Sequence, residues 1–380
     1  MAVYFDHNAT TPLDPSALEA MLPYLTERHG NPSSIHSPGR VVRAAIDQAR
    51  TQVADLVGAH PTQVIFTSGG TEANNLAFNI LSNFEPGTLC VSAVEHPAVL
   101  EVAKYWQSKG WQLEVAPVDS NGVVDEAAAK VLLAEKPTLF SCMIANNETG
   151  AIQPVAELAK LAGQYEVICH TDAVQAVGKI EVDFESYGVN LMSLSSHKIY
   201  GPKGVGALIV DKSLDLSPLI IGGGHEKGWR SGTENVAGIV GFGKAAEIAK
   251  QHVSVRHTRM SELRDNLQSA LKGIEGVHII SESAQRLPNT LLIAMPGIEG
   301  ETLLMNLDAK GFAVSSGSAC ASANTGPSHV LEAMHLQESL AQSTLRISLG
   351  KDSTWAECEQ FVMAVRELRL LSQQMASVAW

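Results

Sequence analysis

Between residues 63 and 210 short apolar runs alternate with helical stretches, and this rhythm restricts the fold more than any other feature of the chain. Residues 63–67, 88–93, 139–144, 166–170, 191–194 and 205–210 read as strands. Residues 72–81, 97–108 and 154–164 read as helices. An earlier helix is expected over 40–57, where Val42, Ala45, Ile46, Ala49, Val53 and Leu56 recur at helical spacing and Gly58 follows as a stop. The strands are apolar throughout rather than alternating, which implies a mostly parallel sheet with helices on both faces. In such sheets ligands collect at the carboxyl ends of the strands, and that is where the polar residues of this sequence gather.

The C-terminal third has another pattern. Long polar helices, roughly 239–273 and 354–372, flank short strands at 289–294 and 344–349, which suggests a smaller α+β lobe. The expected division is a large α/β domain over 12–255 and a small domain formed by 1–11 with 256–380. No Pro/Ser-rich linker separates the two, so the long helix is expected to bridge them. Repeats and low-complexity tracts are absent from the sequence.

The chain has 380 residues, 45% hydrophobic and 18% charged, enough for a large buried core. Its net charge of −13 argues against nucleic acid or an anionic membrane as a bulk partner. No apolar run reaches membrane-spanning length, and the N-terminus has no basic lead, so neither a membrane span nor a signal peptide is expected. Cys90, Cys142, Cys169, Cys320 and Cys358 are widely spread and form no CxxC pair. A zinc site or disulfide framework is therefore not expected, and a reducing cytoplasm fits best.

Several segments can carry chemistry. In 195–206 a strand ends in small polar residues followed by lysine and glycines, and a lysine so placed can form a Schiff base with an aldehyde cofactor. Lys198 is favoured over Lys203, which sits in a Gly-Pro-Lys-Gly turn. Asp172 follows a strand and can pair with a protonated pyridine nitrogen, or merely cap the next helix; Gln175 lies three residues on. Residues 68–72, Ser-Gly-Gly-Thr-Glu, lie between a strand and a helix where backbone N–H groups favour a phosphate, though an ordinary turn is as good a reading. His96 can stack on a flat ring and move protons, or simply cap a helix. Cys320 lies in a run of small residues, about 315–327, which reads as an exposed loop with a reactive thiol. The other cysteines read as small buried hydrophobes. Arg346, alternating with apolar residues on a strand, can clamp a carboxylate or form an ordinary salt bridge.

Each segment alone is weak, but their order is specific. The series phosphate turn, His, Asp-x-x-Gln, Ser-x-His-Lys, Cys loop and Arg strand resembles the cysteine desulfurases of the NifS/IscS family. These belong to the class-V aminotransferase group of fold type I pyridoxal-phosphate enzymes. The resemblance runs from Asp6–Pro12 to Ser348–Asp352 and includes 145–150, 222–226 and 230–233. The Ser-Gly-Ser-Ala-Cys form looks like the class with the long cysteine loop. A departure is Ala321, where threonine commonly follows the cysteine.

The resemblance implies that Lys198 carries pyridoxal 5'-phosphate, Asp172 meets its ring nitrogen, Gln175 its phenolic oxygen and His96 its ring face. It puts Gly70, Thr71, Ser195 and His197 at the phosphate, joined by Thr233 of a second subunit in a homodimer. Asn147 is implied beside ring and substrate, Arg346 on the carboxylate of L-cysteine, and Cys320 as the sulfur acceptor that becomes a persulfide while L-alanine leaves. No intrinsic metal is implied; Cys320 would at most meet a cluster on a partner transiently. The implied acceptor is an iron–sulfur scaffold or another sulfur carrier. A lyase releasing sulfide and pyruvate, a selenocysteine lyase and a non-catalytic scaffold protein remain as alternatives.

Overall fold

The computed structural model describes residues 2–316 and 327–378. Along the chain run β1 (Val3–Tyr4), α1 (Pro15–Thr26), α2 (Ser37–Leu56), β2 (Val64–Thr67), α3 (Gly70–Phe78), β3 (Thr88–Ser92), α4 (Pro97–Ser108), β4 (Gln112–Ala116), α5 (Glu126–Ala134), β5 (Leu139–Ser141), α6 (Val155–Gln164), β6 (Ile168–Asp172), α7 (Phe184–Tyr187), β7 (Leu191–Ser195) and β8 (Gly206–Val210). The remainder comprises α8 (Val236–Lys272), β9 (His278–Ile280), β10 (Thr290–Ala294), α9 (Gly300–Ala309), β11 (Phe312–Ala313), β12 (Ser315–Ser316), α10 (His329–Ala333), α11 (Glu338–Ala341), β13 (Thr344–Ser348) and α12 (Trp355–Val378).

Among the described residues, seven strands form one sheet in the order β2-β8-β7-β6-β5-β3-β4. Strands β4, β3, β5, β6 and β7 are parallel, as the apolar runs imply. β8 is antiparallel to both neighbours. The connection 196–205 holds no crossover helix, and a parallel return needs one, so β8 can only fold back. Both faces of the sheet are covered. Phe66, Cys90, Phe140 and Cys169 pack with Ile46 and Val53 of α2, Leu158 of α6 and Phe242 of α8. Ile65, Leu89, Val91 and Leu191 face Leu76 of α3 and Val99 of α4.

A four-stranded antiparallel sheet, β12-β13-β10-β9, and the small parallel pair β1-β11 make up the C-terminal part. Its core holds Phe5, Leu291, Leu345, Ile347 and Phe361. α8 contributes Phe242 and Ala246 to the large core and Leu267 and Leu271 to this one. β4 and α5 escape the sequence pattern because β4 is a half-exposed edge strand without a continuous apolar run. Among the described residues no helix is long and apolar enough to cross a membrane.

Candidate active site

β6 delivers Asp172 to its carboxyl end. One carboxylate oxygen accepts from Val174 N at 2.9 Å, and the other accepts from Asn74 Nδ2 of α3 at 2.8 Å. β7 ends at Ser195, and the single 3-10 turn Ser196–Lys198 sets His197 and Lys198 at the same end of the sheet. Lys198 Nζ donates to the carbonyls of Asn8 and Ala9 at 2.6 and 2.7 Å. β3 ends just before Glu95 and His96. His96 caps α4, its Nδ1 accepting from Ala98 N at 3.1 Å. That bond fixes the tautomer: a neutral ring carries its proton on Nε2. Burial lowers the His96 imidazole below its ordinary range, Asp172 opposing and Lys198 adding to the effect, so the neutral form prevails.

These residues line one cavity of about 430 Å³ together with Gly70, Thr71, Asn147, Gln175, Ser195, His197 and Arg346. All the sequence-derived candidates except Thr233 and Cys320 therefore meet here. A second recess of about 450 Å³ shares Gly70, Thr71, Ser195 and His197 and adds Lys203. Its floor is the N-terminus of α3, where Gly69 supplies no side-chain cap and the first N–H groups are left for an anion. A Cβ on Gly70 would lie 2.9 Å from Val174 Cγ2, so a side chain there would not fit without displacement. Burial, with Lys198 and Lys203 beside it, pushes the His197 imidazole down to about 4, and it rests on Thr10 Oγ1 at 3.1 Å.

The opposite wall comes from the small sheet. Leu345 and Ile347 point into its core, and Arg346 between them points into the cavity. Arg346 is 3% exposed, Nη2 donating to Asp6 at 2.8 Å and Nη1 to the Asn147 carbonyl at 3.1 Å. The salt bridge is thus present and the carboxylate clamp is compatible with it, because these two bonds use only two of the five N–H donors of the guanidinium.

Thr233 is exposed beyond Arg230 and does not line this cavity. Cys320 lies outside the described residues. The chain on either side of that stretch does meet the site: Ser315 lines the cavity, and His329 Nε2 lies 2.9 Å from the Glu95 carbonyl. The four remaining cysteines are buried. Burial raises the thiols of Cys90, Cys169 and Cys358 to about 12 and that of Cys142 well above its usual range, so none of them is a thiolate at neutral pH.

Sequence reasoning passed over Asn8, Asn74, Glu95 and Lys179. Lys179 is the one with a local signal, since a lysine four residues beyond Gln175 returns to it wherever the turn between them closes. A roomier recess, about 510 Å³ between Gly58 and Lys212, lies at the other end of the sheet, bounded by the segments that precede β2 and β7 and by the end of the antiparallel β8. Ligands of open α/β sheets gather at the opposite end.

The chemistry of this donor set is specific. An amine, a buried carboxylate, an imidazole, an amide and an uncapped helix N-terminus suit a flat, phosphorylated aromatic aldehyde with a ring nitrogen. Arg346 suits a carboxylate at the far wall.

The aminotransferase class-V family model matches residues 3–361. The chain is 45% identical to a cysteine desulfurase IscS of Dictyoglomus turgidum, over 93% of this chain and 90% of the relative. A solved NifS-like protein superposes with a TM-score of 0.91 at 40% identity, covering 97% of this chain and 99% of that one. A structure described as SspA in complex with cysteine superposes with a TM-score of 0.80 at 31% identity, over 93% of this chain and 100% of the other.

Proposed function

Because the chain belongs to the class-V aminotransferase family, within its NifS/IscS cysteine desulfurases, we propose that it removes sulfur from L-cysteine, leaving L-alanine and a persulfide on Cys320. The enzymes of this family depend on pyridoxal 5'-phosphate. The convergence of Lys198, Asp172, His96 and Arg346 on a single cavity carries the reading for this chain.

The site fits that cofactor. Lys198 would hold its aldehyde, Asp172 its ring nitrogen, Gln175 its phenolic oxygen and His96 its face. Gly70, Thr71, Ser195 and His197 would hold the phosphate. When bound, the cofactor supplies an electron sink next to the substrate's α-carbon. The chain's own groups do the rest. Arg346 holds the substrate carboxylate, with Asn147 beside it. Lys198 Nζ takes the α-proton, and Asp172 keeps a positive charge on the ring nitrogen. Cys320 Sγ, as thiolate, attacks the substrate sulfur: the S–S bond forms, the carbon–sulfur bond breaks, and the electron pair stays on carbon, which takes up a proton. With its helix cap intact His96 can donate a proton from Nε2; accepting one at Nδ1 requires the cap to open. Splitting the transfer into two covalent steps is ordinary nucleophilic catalysis.

The protein is proposed to act as a homodimer, with Thr233 reaching the partner's phosphate site. Large apolar side chains exposed at Ile35 and Ile221, in segments joined through His225 to the loop that carries Thr233, support an interface there. The small domain, 1–11 with 256–380, is proposed to carry the cysteine loop against the large domain, 12–255. Sulfur is proposed to pass to an iron–sulfur scaffold or another carrier in the cytoplasm. The test is mass spectrometry of the holoprotein after one exposure to L-cysteine: one added sulfur on the peptide containing Cys320 supports the reading, and added sulfur elsewhere or nowhere refutes it.

A further inference from the structure

Lys179 is a buried lysine held by two neutral amides. Its Nζ donates to Gln175 Oε1 at 2.6 Å and to Asn8 Oδ1 at 2.8 Å. The turn after β6 brings it there. Gly178 at φ +76 reverses the chain, and a Cβ on it would lie 2.8 Å from Ile199 Cγ2, so glycine is required. Asn8 in turn links the N-terminal segment to the small sheet, its Nδ2 donating to Asn147 O and Thr290 Oγ1.

The polarity of these contacts is unambiguous. An ammonium Nζ only donates, an amine Nζ donating to Asn8 Oδ1 still offers a second N–H, and a backbone carbonyl only accepts. Gln175 Oε1 faces Nζ, and Gln175 Nε2 donates to the Asn8 carbonyl at 2.9 Å. Turning the amide over would set N–H against N–H and oxygen against oxygen. Gln175 lines the cavity, and its Nε2 keeps a second N–H that the Asn8 carbonyl does not use.

We propose that Lys179 is a positioning residue for Gln175: it fixes which way the amide faces and so presents an N–H to the phenolic oxygen of the bound cofactor. The inference rests on the assignment of Gln175 to that oxygen. The charged and titratable groups around Lys179 are Lys198 and Arg346, which with burial push it well below the ordinary lysine range, and His7, held at about 4 mainly by burial. Asp6 answers Arg346.

The test is the pH midpoint of the visible absorbance of the cofactor bound to Lys198, read without substrate. Losing a donor at the phenolic oxygen leaves its charge uncompensated, and the neighbouring nitrogen then holds its proton more tightly, so the midpoint rises. Lys179→Met is expected to raise it by about one pH unit, Gln175→Met by about the same, and the double variant by no more than Gln175→Met alone. Lys179→Gln keeps a donor and is expected to restore the midpoint. If Lys179→Met does not retain cofactor, Lys179→Leu is read in its place. An unmoved midpoint in the lysine variant, additive shifts in the double, or no rescue by Lys179→Gln overturns the inference. An unmoved midpoint in Gln175→Met instead overturns the placement of Gln175 at the phenolic oxygen.

Discussion

Asn74 Nδ2 donates to Asp172 Oδ2 across 2.8 Å, a buried bond between the first helix after the phosphate turn and the end of a central strand. It stabilises the ionised carboxylate that the ring nitrogen would meet. A bond to a charged group is worth about 1.5–3 kcal/mol, so Asn74→Leu should lower kcat/KM for alanine formation about ten- to hundred-fold, and Asp172→Ala more. Wild-type turnover in Asn74→Leu would mean that Asp172 needs no such support.

Lys198 and Lys203 are separated by one turn and face different recesses. Lys198→Ala should lose turnover by about 10²-fold or more, since it removes the proposed proton-transfer group, and should alter the visible spectrum. Lys203→Ala, exposed at the phosphate end, should keep the spectrum and weaken cofactor retention only about two- to five-fold. The reverse pattern would exchange their roles.

Arg346 offers a planar fork that lysine cannot copy. Arg346→Lys keeps a cation near Asp6 but loses bidentate recognition. KM for L-cysteine should rise about ten- to hundred-fold, with a smaller change in kcat. A fall in kcat at constant KM would move Arg346 from substrate binding to structure.

Glu95 is fully buried beside His96, its carboxyl accepting from Ser92 Oγ and Met143 N, and burial raises it to about 8 against an ordinary 4.5. Below pH 4.5 it is protonated in both folded and unfolded states. As pH rises towards 8 the unfolded chain releases the proton and the folded one keeps it, so this stabilising contribution is lost. Glu95→Gln removes the effect. Between pH 5 and 8.5, urea denaturation should show the variant gaining about 1–4 kcal/mol on the wild type. Parallel pH profiles would mean that Glu95 is ionised in the folded protein.

The ends of the apolar strands were the legible part of this protein. Asp172, Lys198 and His96 each follow such a run, so one periodicity placed both the sheet and half the site. Arg346 was legible from alternation, because Leu345 and Ile347 claim the core and leave it the other face. β8 was readable as a strand but not in direction, which depends on the length of the connection before it. Asn8, Asn74 and Lys179 carry no periodic signal. Asn8 meets Gln175 and Lys198 across more than 160 residues of sequence, and only the folded chain makes that contact. Thr233 carries no periodic signal either, and its proposed role depends on a second subunit.

The most direct measurement is product analysis of the purified holoprotein with L-cysteine and a reducing thiol. Alanine and sulfide in equal amounts, both lost in Cys320→Ala while the cofactor stays bound, are the expected result. Pyruvate and ammonia in their place would make the protein a β-eliminating lyase and remove Cys320 from the reaction.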